Sequence, residues 1–177
     1  MKNTNKLFTV LIISLSLLSL IACNPLQSFN LDSDQVVENA ADITDFDLPE
    51  GYQPDFSVNV NGYRIAAFNP GDGISHIYFL QSENEVDEET LQKALDKLVP
   101  GTKDRESRMK VLETYAMVIR GEDTTVIINE GINSENVKYR QAMAAFPGKL
   151  GPAMIVISEP TSTWDQEKIN VFLESIR

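Results

Sequence analysis

The chain contains a single cysteine, and the place where it stands limits what can hold the fold together. Cys23 directly follows Ala22 at the end of a short apolar run, with Lys2 and Lys6 ahead of the run and Leu7 to Leu20 inside it. A charged start, a short apolar core and a small residue at the end are the layout of a secretion signal. A membrane-spanning helix competes with this reading. However, Thr9, Ser14, Ser16 and Ser19 interrupt the run, and it falls short of the roughly 20 apolar residues a span requires. An ordinary secretory signal would leave a free thiol at Cys23, and an odd cysteine in an exported protein calls for an explanation.

Leu20-Ile21-Ala22-Cys23 resembles the lipobox of bacterial lipoprotein precursors. The resemblance implies cleavage between Ala22 and Cys23 after the thiol has accepted a diacylglycerol, so that Cys23 becomes the first mature residue. Acyl chains on Cys23, palmitate among them, would hold the protein to the bacterial cell membrane or outer membrane, with the domain outside the cytoplasm. Two or more chains give stable anchoring where one is marginal. With the thiol consumed, no cysteine remains for a disulfide, a zinc site or a nucleophile, so packing alone must hold the fold. A chain of 177 residues less its signal is long enough for one packed domain.

The charge is strongly acidic, with 26 Asp and Glu against 15 Lys and Arg. Lys2 and Lys6 leave with the signal, which makes the mature chain more acidic still. Such a surface repels phosphate backbones and anionic headgroups, so nucleic acid is not an expected partner and membrane contact is expected through the lipid.

The pattern along the chain gives three parts: residues 1–22 as signal peptide, residues 23–42 as a polar tether, and residues 43–177 as one α+β domain. Within the tether, Val36, Val37 and Ala40 suggest a short helix over Asp34 to Ala41. Pro49-Glu50-Gly51-Tyr52 signals a turn. Phe56, Val58 and Val60 alternate with polar residues, Asn61-Gly62 is a hairpin signal, and strands are expected over Tyr63 to Phe68 and Ile74 to Leu80. Asp87 to Val99 reads as a helix with Leu91, Ala94, Leu95 and Leu98 on one face, Asp87 as N-cap, and Val86 stapled to Leu91. Strands follow at Met109 to Arg120 and Thr124 to Asn129, with Gly121-Glu122-Asp123 as the turn between them. Val137 to Phe146 and Ala153 to Ser158 should pair across Pro147 to Pro152. The nearly continuous apolar run Ala153 to Ile157 predicts a central strand covered on both faces. Thr163 and Gln166 fit a capping box for a last helix reaching Arg177, with Ile169, Phe172, Leu173 and Ile176 as its stripe. The expected sheet is antiparallel with helices packed on it.

The order of these elements, the Leu48-Pro49-Glu50-Gly51-Tyr52 entry to the first strands, and the Trp164…Phe172-Leu173-Glu174-Ser175-Ile176 helix resemble the PsbP-like fold over residues 43 to 177. The resemblance implies an antiparallel sheet with helices on it, acting by binding partners. It carries no functional residues over to this chain.

Candidate sites weigh little against plainer roles. His76, the only histidine, is expected inside a strand with no second histidine and no usable cysteine, so a zinc site lacks its ligand set. Asp72, Glu83, Glu85, Asp87, Glu88 and Glu89 lack the alternating spacing and turn glycine of a calcium loop, and fit a helix start plus solvated surface. There is no Gly-x-Ser-x-Gly elbow. Pro147-Gly148-Lys149-Leu150-Gly151 lacks the spacing and hydroxyl of a phosphate loop, and reads as a hairpin loop with Lys149 exposed. Trp164 reads as the lid of a core more readily than as a partner anchor. No catalytic, cofactor or metal residue is assigned. The expectation is a non-catalytic interaction module with an envelope protein as partner. The alternative is a small-ligand carrier or sensor with an apolar cleft between sheet and helix, lined by Tyr63, Phe68, Tyr78 and Phe79.

Overall fold

The computed structural model describes residues 28–99, 109–133 and 135–177. Among the described residues eight strands form one wholly antiparallel sheet, β1 (Ser28–Asn30), β2 (Gln53–Val60), β3 (Tyr63–Asn69), β4 (His76–Ser82), β5 (Lys110–Ile119), β6 (Glu122–Ile132), β7 (Lys138–Pro147) and β8 (Pro152–Pro160). Their spatial order is β1-β2-β3-β4-β8-β7-β6-β5. Two meanders therefore meet at the β4–β8 seam, where Ile77 faces Ile157 and Phe79 faces Ile155. β8 is buried on both faces from Ala153 to Ser158, as its unbroken apolar run requires. Among the described residues there are three helices, α1 (Ser33–Ile43), α2 (Glu88–Leu98) and α3 (Gln166–Glu174). None is long and apolar enough to cross a membrane.

Because side chains alternate across a strand, the sheet has two apolar faces. One carries Phe68, Ile77, Phe79, Val126, Ile128, Ala144, Ile155 and Ile157 under α1 and α3. Val36, Ala40 and Ile43 come down from α1, and Ile169, Phe172 and Leu173 from α3. The other face carries Phe56, Val58, Ile65, Tyr78, Leu80, Met154 and Val156, and α2 covers it with Leu91, Ala94 and Leu95. On the first face Phe46, Phe68, Phe79 and Phe172 stand in a cluster with centroid distances from 4.5 to 6.4 Å. They join the segment after α1 to the sheet and to α3.

The hairpin at Asn61-Gly62 forms with φ of 51° and 78°, the pair of positive values its turn type demands. α2 starts where expected, with the Asp87 carboxylate accepting from the Thr90 N–H at 2.9 Å. Three sequence expectations need correcting. Residues 28–43 are part of the packed body rather than tether: β1 pairs with β2, and α1 buries Val36, Ala40 and Ile43 while Val37 faces out. The β5–β6 turn is Arg120-Gly121, with φ of 53° and 80°, so β6 begins at Glu122 and the charged residues belong to the strand. The last helix begins at Gln166 rather than Thr163. Its N-cap is Asp165, whose carboxylate accepts from the Lys168 N–H at 3.2 Å, while the Thr163 hydroxyl donates to the Pro160 carbonyl.

Candidate functional site

Four segments, two of them flanking the short β8–α3 connection, converge where the first sheet face meets the start of α3. The first is the turn at Pro49 to Tyr52, closed by the Tyr52 N–H donating to the Pro49 carbonyl at 3.2 Å. Gly51 takes φ of 91°, which the third position of such a turn needs and a side chain would resist. Tyr52 then reaches β8, where its hydroxyl donates to Glu159 Oε1 at 2.8 Å. The second segment, between β3 and β4, is wound on its own polar side chains. Asn69 Oδ1 accepts from the Gly71 N–H at 2.9 Å, and Asp72 accepts from the amides of Ile74 and Ser75 and from the Ser75 hydroxyl. The end of β8 supplies Glu159, and the start of α3 supplies Asp165 and Lys168.

These segments enclose an open cleft of about 290 Å³. Ile77, Ile157, Ile169 and Phe172 give it apolar surface, and Glu50, Asp72, Glu159 and Asp165 bring four carboxylates against the single ammonium of Lys168. A shallower hollow of about 530 Å³ continues along α3, sharing Glu50, Asp165, Lys168 and Phe172 and adding Asp47 and Val171. The wall at Pro49 and Glu50 is tied down from the far end of the chain. Asp45 and Arg177 exchange both main-chain hydrogen bonds, at 3.1 and 2.8 Å, and the Arg177 guanidinium pairs with Asp47 at 2.9 Å.

Burial pushes the Glu159 carboxyl above its ordinary range, and the neighbouring charges of Asp72 and Asp165 push the same way against the Tyr52 hydrogen bond. Burial also raises the Tyr52 hydroxyl, and the Glu159 carboxylate adds to it, so Tyr52 remains a donor at neutral pH. Burial acts on Asp72 in the same sense, but the Ser75 hydroxyl and the amides of Ile74 and Ser75 outweigh it and hold that carboxyl low. The cleft can therefore present negative charge and apolar surface to a ligand carrying positive charge and a hydrocarbon stem, with the Tyr52 proton already committed to Glu159.

The residues singled out from the sequence fall elsewhere. His76 stands on the opposite sheet face, its Nδ1 3.0 Å from the Ile74 carbonyl, its ring stacked on Tyr78 and its Nε2 3.9 Å from Asp55. Asp72 alone of the acidic set reaches the cleft. Glu85 and Glu88 border a separate hollow of about 420 Å³ beside Glu122 and Asp123, and Asp87 caps α2. Lys149 is not simply exposed as expected. Its ammonium donates to the Ala41 carbonyl at the end of α1 and to Asp45, both at 2.8 Å, and its N–H donates to Ile43. A cation there offsets the negative helix end. Trp164 lies half-buried against the core and its indole N–H donates to Gln166. None of Tyr63, Phe68, Tyr78 and Phe79 lines the cleft: Phe79 is core, Tyr63 and Tyr78 belong to the other face, and Phe68 borders a hollow near the end of α1. The aromatics at the cleft are Tyr52 and Phe172, which the sequence marks only as a turn residue and as part of a helix stripe. Ala22 and Cys23 lie outside the described residues. Among the described residues no group of three or more His, Cys, Asp or Glu is placed to hold a metal ion.

No family model matches the chain. No curated protein matches it either. Among solved structures it is similar to LpqN of Mycobacterium tuberculosis, described as involved in cell envelope biogenesis, at 11% identity over 75% of this chain and 81% of that one, with a TM-score of 0.39. A likeness that loose carries no argument about this chain.

Proposed function

We propose that the protein is a non-catalytic interaction module, exported and held at the cell envelope by lipid on Cys23, which recognises its partner through the cleft between the sheet and α3. The observation that carries the reading is the cleft itself. It is open to solvent, its carboxylates outnumber its one cation, and its most buried carboxyl accepts the hydroxyl of Tyr52. A basic side chain of a protein partner, its stem along Ile169 and Phe172 and its charge at the rim, fits that lining. The filled core on both sheet faces supports a surface-binding role over the carrier alternative, whose expected aromatic lining sits elsewhere. The PsbP-like resemblance of the Leu48 to Tyr52 entry and the terminal helix agrees with a fold that works by binding.

Anchoring is tested by acyl labelling. The wild-type chain should incorporate labelled palmitate and mature at Cys23, and Cys23→Ser should abolish labelling and leave the precursor uncut. Labelling that survives in Cys23→Ser would remove the anchor from the account. Partner recognition is tested separately by retrieving the anchored chain from gently solubilised membranes. A co-purifying envelope protein should be lost in Glu50→Lys and Asp165→Lys, and its retention in both would remove the cleft as the contact.

A further inference from the structure

The deep cleft and the shallow hollow beside it form one groove. Pro49, Glu50, Asp165, Lys168 and Phe172 line both, with α3 as one wall and the segment from Asp47 to Glu50 as the other. At the far end the groove is closed, where the Asp47 N–H donates to the Ser175 hydroxyl at 3.2 Å and the Arg177 guanidinium pairs with Asp47. The near end is closed by Tyr52 on Glu159. From Asp165 to Ser175 the helix and its caps rise about 15 Å, which is the reach of about five extended residues.

Two features of this groove take no part in packing α3 on the sheet. Ile169, Phe172 and Leu173 are the buried stripe, whereas Val171 stands off it and is 62% exposed beside the shallow part. Glu50 and Glu167 line the same part and make no ion pair among the described residues, while Asp165 pairs with Lys168 and Asp47 with Arg177. An apolar side chain and two unpaired anions in one groove suit an apolar group and a cation arriving together.

We propose that the groove takes a short linear segment of the partner in extended form, with a lysine or arginine in the deep part and an apolar side chain against Val171 and Phe172, two residues apart. This rests on the reading of the cleft as the recognition site and names what enters it. The cation belongs at the deep end because Asp72 and Glu159 stand there behind Glu50, and Ile169 and Phe172 flank its stem. Spacing follows from the helix. Val171 and Ser175, which line only the shallow part, lie one to two turns beyond Lys168, roughly 5–10 Å along the axis. Residues i and i+2 of an extended segment point to the same side about 7 Å apart, and adjacent residues point to opposite sides. A partner helix, about 10 Å across, would rest on the rim.

The test is fluorescence anisotropy of dye-labelled seven-residue peptides with the full chain, extracted from membranes in mild detergent. One lysine and one leucine are set one, two, three or four places apart, in both orders, in a serine and glycine background. Peptides with lysine alone or leucine alone complete the panel. A peptide with spacing two should bind about tenfold tighter than lysine alone, which is what burying a leucine side chain supplies. Val171→Ser should erase that tenfold, leave binding of the lysine-only peptide unchanged and keep the melting temperature. Glu50→Lys should abolish binding of both. The proposal is overturned if no peptide binds, if lysine alone binds as tightly, if another spacing binds best, or if Val171→Ser has no effect. Should the panel fail while capture of the envelope protein still depends on Glu50 and Asp165, the cleft remains the contact and only the linear segment falls. Capture that ignores both residues removes the cleft reading itself.

Discussion

Glu159 shows how a single residue can cost stability and still be kept at a surface cleft. Burial raises its carboxyl above the ordinary 4.5, so the folded state binds the proton more tightly than the unfolded state does. An acid shifted upward costs stability while ionised, and the cost fades as pH falls through the raised value and is gone below the unfolded one. Glu159→Gln keeps an oxygen to accept the Tyr52 hydroxyl and removes the charge. Its melting temperature should therefore exceed the wild type's at pH 7, and the difference should vanish below about pH 4. A Glu159→Gln melting temperature below the wild type's at pH 7, with the deficit vanishing as pH falls, would mean that Glu159 is stabilised as an anion, contrary to its surroundings. The residue scale was also where the sequence was least legible. Tyr52, Asp72, Glu159 and Asp165 lie in four separate segments and share no motif, and only the packing of those segments makes them neighbours.

Among the elements, α2 and α3 cover opposite faces of the sheet, and each can be tested through one side chain. Leu95 is 1% exposed on α2 and Phe172 is 4% exposed on α3. Leu95→Ala should cost about 2–5 kcal/mol and Phe172→Ala about 3–5 kcal/mol, read as a lower urea midpoint with an unchanged slope. Phe172→Ala should in addition weaken partner binding, because Phe172 also lines the cleft, whereas Leu95→Ala on the opposite face should not. Elements with a clean local signal were readable in advance. The Asn61-Gly62 hairpin, the Leu91-Ala94-Leu95 stripe and the apolar run of β8 each follow from one dominant preference. The Arg120 turn is not legible, because an arginine at positive φ has no propensity to announce it. The polar neighbours of α1 hide its Val36, Ala40, Ile43 spacing, and a helix so short gains its stability from the sheet it covers.

At the scale of the whole molecule, the described fold begins at Ser28, five residues after Cys23. Five extended residues reach about 17 Å at most, so a lipid on Cys23 would keep β1 and α1 close to the membrane. The antiparallel α+β class was legible from alternation and turn signals, but the strand order was not, because nothing local in β4 or β8 specifies that they pair across the intervening α2, β5, β6 and β7. Photo-crosslinking in intact cells reads what the cleft contacts. A photoreactive residue in place of Glu50 at the cleft rim should give one discrete adduct with an envelope protein. That adduct should be lost in Asp165→Lys, and the same probe in place of Glu38 on the outer side of α1 should not form it. No adduct from the rim, or the same adduct from both positions, would contradict recognition through this cleft.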